Sequence, residues 1–383
     1  MIQLVSAGVL TAIVAFATAF AIVLAGLGAV GASQAEAASG LFALSLATGV
    51  ITVALSVRWR MPVMVAWSTP GAVLLINSGA QDGGFAVAVG AFLGAGVLTL
   101  VAGLWRPFGR AVAAIPISLA SAMLAGILLD ICLAPIRAVG ELPTLALPII
   151  IAWAVTFRFA RRYAVPVAVA VTAIIVAWAT PLPSAVSIGL PSLVVVTPVF
   201  TFDAMIGLAV PLFIVSMASQ GIPGLAVLRA NDYRPNVSGI FAVTGVGSIV
   251  TAFFGAVTLS LAAITAALSA GPEAHPDPNR RWVAAVVAGV TYALIGFGAA
   301  YAAAFVAESP PLLIQAVAGL ALLGIFAGSL TAAMVDEADR LPAIITFATT
   351  ASGVSFLGIN AAFWGLVAGG ILMALLRMPV GRR

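Results

Sequence analysis

The residues able to do chemistry inside this chain's apolar stretches are few and uncharged. Ser68, Thr69 and Gly71 surround a proline in VMVAWSTPGAVLL; Ser216, Ser219 and Gln220 fall in LAVPLFIVSMASQGIPG; Ser260 precedes Leu261 and Ala262 in AVTLSLAAITAALSAGPEAHP. Hydroxyls, a carboxamide and backbone N–H groups can grip a ligand by hydrogen bonds. No nucleophile–base set, nucleotide-binding loop or metal-ligand cluster accompanies them, so no catalytic residue, metal or organic cofactor is expected. Recognition of a polar or anionic group is the chemistry they suit. Phe16 and Phe20, one helical turn apart, and Trp67 beside the proline could supply a flat apolar wall, although aromatic residues in such runs also serve plain packing.

The surroundings of these residues are oily. Of 383 residues, 63% are hydrophobic and 7% charged, and the mean hydropathy is +1.22. That is more apolar surface than one water-soluble core can hide, which implies a polytopic membrane protein solvated by lipid. The high pI therefore bears on topology and gives no reason to expect a nucleic-acid partner. Residues 4–27 carry no basic residue before them and no clear cleavage pattern, and read as a retained first span. Cys132 stands alone, so no disulfide within the chain is possible.

Fourteen membrane segments are expected, at 6–30, 38–57, 62–79, 83–104, 109–130, 144–162, 164–180, 203–228, 237–255, 256–270, 282–306, 311–333, 341–357 and 359–377. All sixteen basic residues are arginines. With these segments, alternate connections hold Arg58 and Arg60; Arg106 and Arg110; Arg158, Arg161 and Arg162; Arg229 and Arg234; Arg280 and Arg281; Arg340; and Arg377, Arg382 and Arg383. Only Arg137 falls on the other side. By the positive-inside rule both termini are cytoplasmic. Trp59, Trp105 and Trp282 flank the inner arginines, as interfacial indoles do.

Seven segments precede the Pro-rich stretch 181–202 and seven follow it. If the halves share a fold, an odd number of crossings makes the second an inverted copy. The third segment of each half is interrupted. In the first, Ser68 or Thr69 can cap a half-helix with Pro70 in its first turn. In the second, Val257 to Leu259 can extend and Ser260 can cap a helix running from Leu261 to Ser269. Both N-termini would reach the midplane from opposite directions, aiming free N–H groups and positive dipole ends at one cavity. Such a cavity suits a carboxylate. The same small and hydroxylated residues also occur where ordinary membrane helices touch. No acid, arginine or histidine lies mid-span to relay protons. His275, the single histidine, sits in a loop.

VMVAWSTPGAVLL, VPLFIVSMASQGIPGLAVLRANDYRPN and LSLAAITAALSAGPEAHPDPNRRW together resemble the BenE-type benzoate/proton symporter family, over nearly the whole chain. That family is similar in architecture to the uracil and xanthine permeases and the sulfate/bicarbonate anion transporters. The resemblance implies an all-α fold with a seven-plus-seven inverted repeat, 1–180 and 181–383. It also implies a core domain (about 1–104 plus 203–306) and a gate domain (about 105–180 plus 307–377), with a homodimer through the gate. It implies import of benzoate or a related aromatic carboxylate with protons across the bacterial inner membrane, the proton gradient serving as energy source. A nucleobase carrier, an inorganic-anion carrier and an anion channel are the alternatives. Where the nucleobase permeases carry a ring-binding glutamate on the eighth span, Ser219 stands here, followed by Gln220. A hydroxyl and an amide accept an anion that a glutamate would repel.

Overall fold

The computed structural model describes residues 1–113, 115–179, 191–357 and 359–378. Arg382, Arg383, Thr180 and residues 181–190 of the Pro-rich connection lie outside the described residues. The helices are α1 (Ile2–Ala29), α2 (Gln34–Trp59), α3 (Thr69–Ser78), α4 (Phe85–Leu104), α5 (Arg106–Ala113), α6 (Ile117–Glu141), α7 (Pro143–Phe159) and α8 (Ala164–Ala179) in the first half. They continue with α9 (Phe202–Ala230), α10 (Val237–Ala252), α11 (Ala263–Ala270), α12 (Trp282–Gly296), α13 (Ala299–Glu308), α14 (Pro311–Met334), α15 (Arg340–Ala351) and α16 (Ala361–Arg377). Two three-residue strands, β1 (Val65–Trp67) and β2 (Leu259–Leu261), precede α3 and α11.

Among the described residues, α1, α2, α4, α6, α9 and α14 are long and apolar enough to cross a membrane. The expected segment 282–306 is instead α12 and α13, bent by 60°; the break falls at Gly296-Phe297-Gly298, where small residues relax the helical ladder. The expected segment 109–130 is displaced as well. Arg106 and Arg110 belong to the short α5, whose Phe108 stacks on Phe213 at 6.0 Å, and the spanning helix starts after Pro116. Asp130 and Arg137 therefore lie within α6, paired on its exposed side at 2.7 Å. The expected segment 341–357 ends early, at Ala351, because Gly353 takes a positive φ of 65°.

Lipid offers apolar side chains no reason to prefer one another, so helix association depends on close backbone approach and satisfied polar groups. Gly49 of α2 faces Gly289 of α12, and a Cβ on Gly49 would lie 2.5 Å from the Gly289 carbonyl oxygen. Caps close the exposed ends: Ser33 and Glu36 form a reciprocal capping box at the start of α2. Helices α2 and α12, α4 and α10, and α1 with α3 and α12 pack as one group; α6 packs with α14, α15 and α16, and α7 with α8. The groups meet where α1 lies on α14 and α3 on α6. Among the described residues, two side-chain bonds cross this seam: Asn77 Nδ2 donates to the Ile127 carbonyl at 2.9 Å, and Asn360 Nδ2 to Ser78 Oγ at 3.2 Å.

Candidate functional site

Extended backbone inside a membrane protein needs partners for its N–H and C=O groups. β1 and β2 supply part of this by pairing antiparallel, with Val65 opposite Leu261, Ala66 opposite Ser260 and Trp67 opposite Leu259. The outer edges are met by two hydroxyls in matching places. Thr52 on α2 accepts the Val65 N–H at 3.1 Å, and Ser248 on α10 accepts the Leu259 N–H at 2.8 Å. Each hydroxyl also donates to the carbonyl of the same strand residue, at 3.4 Å in both cases. A local two-fold axis between Ala66 and Ser260 thus relates Val65 to Leu259 and Ser68 to Ala262.

The two half-helices start differently. Ser68 is the N-cap of α3, and its Oγ accepts the Gly71 N–H at 3.1 Å. Ser260 does not cap α11, contrary to expectation. Strand pairing holds Ser260 opposite Ala66 and carries the extended stretch through Leu261; Ala262 takes the N-cap position and has no oxygen to offer. The Ala262 N–H goes to the Met64 carbonyl at 3.0 Å. The missing cap arrives from another helix: Gln220 Oε1 on α9 accepts the Ala263 N–H at 3.0 Å. An N–H requires an acceptor, so the amide oxygen faces Ala263 and Nε2 turns elsewhere. Met217–Gly221 forms a π-helical turn, a local widening that recurs at functional sites.

A cavity of about 110 Å³ lies between the half-helix starts, lined by Trp67, Thr69, Gln220, Ala262, Thr265 and Tyr292, with α1 and α14 closing its sides. This is many times the roughly 10–15 Å³ that one water needs. Of the expected residues, Trp67, Thr69, Gln220 and Ala262 come together there. Phe16 and Phe20 stack on each other at 5.4 Å, and Phe16 meets the Trp67 ring edge-on at 6.0 Å, so they brace the indole from behind. Ser68 and Gly71 are tied up in the cap. Leu261 lies in β2. Ser216 shares a hydrogen bond with Thr258 at 3.3 Å, and Ser219 Oγ donates to the Val215 carbonyl one turn back at 2.6 Å. Thr265 and Tyr292 are residues that reading the sequence missed; each sits in an apolar helical run that looks like packing.

The cavity is rich in donors. Thr69 and Gln220 have a hydroxyl and an amide NH₂ with no acceptor among the described residues, and the Thr69 and Thr265 backbone N–H groups belong to first helical turns. Among the described residues, no carboxylate lines the space. A second cavity of about 310 Å³, lined by Gln3, Ser6, Tyr163 and Glu273, shares Val14 and Leu268 with the first, so the site continues toward that face. The far end of α11 is closed by Arg281, which is buried and donates to the carbonyls of Ala270 and His275, both at 2.7 Å, and of Pro276 at 3.3 Å. His275 Nδ1 accepts the Asp277 N–H at 3.0 Å within this loop and does not reach the cavity.

The sequence matches the family described as BenE, benzoate membrane transport protein, over residues 1–375. The chain belongs to this family. It is similar to inner membrane protein YdcO of Escherichia coli (strain K12), 39% identical over 377 residues, covering 98% of this chain and 96% of that protein. It is also similar to the benzoate membrane transport protein of Acinetobacter baylyi (strain ATCC 33305 / BD413 / ADP1), 32% identical over 346 residues, covering 89% and 86%. In fold it resembles the transmembrane domain of the cyanobacterial bicarbonate transporter BicA, with TM-score 0.63, 16% identity, and 97% and 98% of the two chains covered. SLC26A9 gives a TM-score of 0.61 at 14% identity, over 97% of this chain and 64% of that one. This BenE-family chain is therefore a multi-pass membrane transporter with the fold of those anion carriers.

Proposed function

We propose that the chain is a secondary active transporter that imports benzoate or a related aromatic carboxylate with protons, by alternating access. One observation carries the reading: two half-helices, joined through β1 and β2, start at a cavity that offers hydrogen-bond donors and, among the described residues, no carboxylate. The carboxylate lies against the first turns of α3 and α11, near Thr69 and Thr265, with the Gln220 amide fixing its orientation. The ring lies along Trp67, which Phe16 and Phe20 support. Each hydrogen bond to the anion contributes about 1.5–3 kcal/mol.

The wider architecture follows the same reading. Fourteen crossings form a seven-plus-seven inverted repeat, 1–180 and 181–383, and the matched Thr52 and Ser248 anchors support it. The core moves against the gate, which also supplies a dimer contact. The arginine distribution favours cytoplasmic termini in a bacterial inner membrane. With no titratable carboxylate in the cavity, one proton accompanies one carboxylate and the cycle is electroneutral. The names of the Acinetobacter and Escherichia relatives agree with the substrate and the location.

The test is uptake of labelled benzoate into proteoliposomes under an imposed proton gradient, with uracil, sulfate and substituted benzoates as competitors. Gradient-driven accumulation blocked by substituted benzoates is expected. Uptake competed by uracil or sulfate alone would assign another substrate, and purely downhill flux indifferent to pH would make the protein a channel.

A further inference from the structure

Deep in the cavity, among the described residues, stands a phenol that neither the fold nor the cap explains. Tyr292 on α12 is 1% exposed and lines the space between the half-helices. Its ring is held edge-on against Trp67, with centroids 5.6 Å apart and planes at 89°. One turn earlier, Gly289 lies against Gly49 and fixes the height of α12 beside α2. Phenylalanine would fill the same space and make the same ring contact. The hydroxyl is the group that needs a reason, because it has no hydrogen-bond partner among the described residues. Unlike the sealed, unpartnered hydroxyls of Thr48, Ser269 and Thr350 and the Trp153 indole nitrogen, it keeps a trace of accessible surface beside the cavity. A phenol left unpaired in an apolar protein interior is unfavourable, and native structures show few of them. Here it opens on a cavity whose other free groups, Thr69 Oγ and Gln220 Nε2, also donate.

We infer that Tyr292 is a specificity-determining residue whose hydroxyl donates a hydrogen bond to the carboxylate of the transported aromatic acid. This rests on the aromatic-carboxylate reading given above. A phenol hydroxyl is neutral, so it strengthens anion binding without adding a buried charge. Because the ring is fixed by Trp67, the hydroxyl is aimed before the ligand arrives, and a ligand with a neutral head group gains less from it than an anion does.

The experiment compares Tyr292→Phe with the wild type, both full-length and purified, for binding of benzoate and of the neutral analogue benzamide, alongside thermal unfolding. The expected result is benzoate binding weaker by roughly tenfold or more, a smaller change for benzamide, and unchanged unfolding. Equal benzoate affinity in the two proteins would overturn the inference and leave the transport reading intact. Failure of the wild type to bind benzoate would overturn both. A second measurement is independent of that variant's folding: ¹⁹F spectra of wild-type protein carrying 3-fluorotyrosine at its four tyrosines. The resonance of Tyr292, identified by elimination with Tyr163→Phe, Tyr233→Phe and Tyr301→Phe, shifts on adding benzoate. An unmoved resonance would exclude the contact.

Discussion

Gln220 on α9 caps a helix it does not belong to: its Oε1 accepts the Ala263 N–H at 3.0 Å, at the start of α11. One amide therefore serves the fold with its oxygen and opens the cavity to its nitrogen. Gln220→Glu keeps an acceptor for Ala263 and replaces the donor with a negative oxygen. Benzoate uptake should fall by at least tenfold while unfolding changes little. Gln220→Ala removes the cap and leaves the part-buried Ala263 N–H without its acceptor, with a loss of about 0.5–1.5 kcal/mol in stability. Paired uptake and unfolding measurements separate the two effects; wild-type transport by Gln220→Glu would remove the amide from the site.

Ser219 makes the opposite prediction from its neighbour. Its hydroxyl is spent on the Val215 carbonyl at 2.6 Å, so Ser219→Ala should leave the benzoate transport constant within about twofold, since this back-bond adds little to a helix. A large rise in that constant would place Ser219 at the ligand in another state of the cycle.

Thr52 and Ser248 occupy matching places on α2 and α10, each meeting the outer edge of one strand. Thr52→Val and Ser248→Ala should each destabilise the protein by about 1–3 kcal/mol, the range for a buried N–H left unpaired. Similar losses from both would reflect their equivalent roles. A silent variant at either position, measured by thermal unfolding in detergent, would show that its strand finds another acceptor.

Asn77 and Asn360 form two hydrogen bonds across the seam between the helix groups, to Ile127 and Ser78. Replacing both with alanine should favour the conformation in which that seam parts. The single cysteine, Cys132, is buried, so a Cys132→Ser background carrying Ser6→Cys gives a clean reporter at the opposite mouth. Thiol labelling at position 6 should slow in the double-alanine variant. Labelling at an unchanged rate would mean the two bonds do not restrain the opening.

The first half-helix is legible in the sequence because its signals are local: Pro70 sits in the first turn as expected, and of the two cap candidates, Ser68 and Thr69, the structure selects Ser68. The second was located but misjudged in detail. Nothing around Ser260 reveals that β1 claims it, nor that Ala262 borrows its cap from a residue 43 positions earlier. Tyr292 was missed for a related reason. In an apolar run a tyrosine looks like a packed ring until the fold shows that its hydroxyl has no partner among the described residues. The start of α6 was misplaced because Arg106 and Arg110 belong to a short helix of their own, and because Asp130 and Arg137 can remain on a spanning helix once they pair at 2.7 Å. Short-range chemistry was readable; contacts across the sequence were not.

The pairing of β1 with β2 has a consequence for how a solute would experience the protein. Since each half-helix springs from one strand of the same ribbon, the two half-helix starts stay together as one wall of the site, while α14 forms the wall that a shift of the other helix group would change. Under the alternating-access proposal, such a carrier has no ratchet of its own. Net flow follows the outside reservoirs, and exchanging their contents should run the cycle backwards.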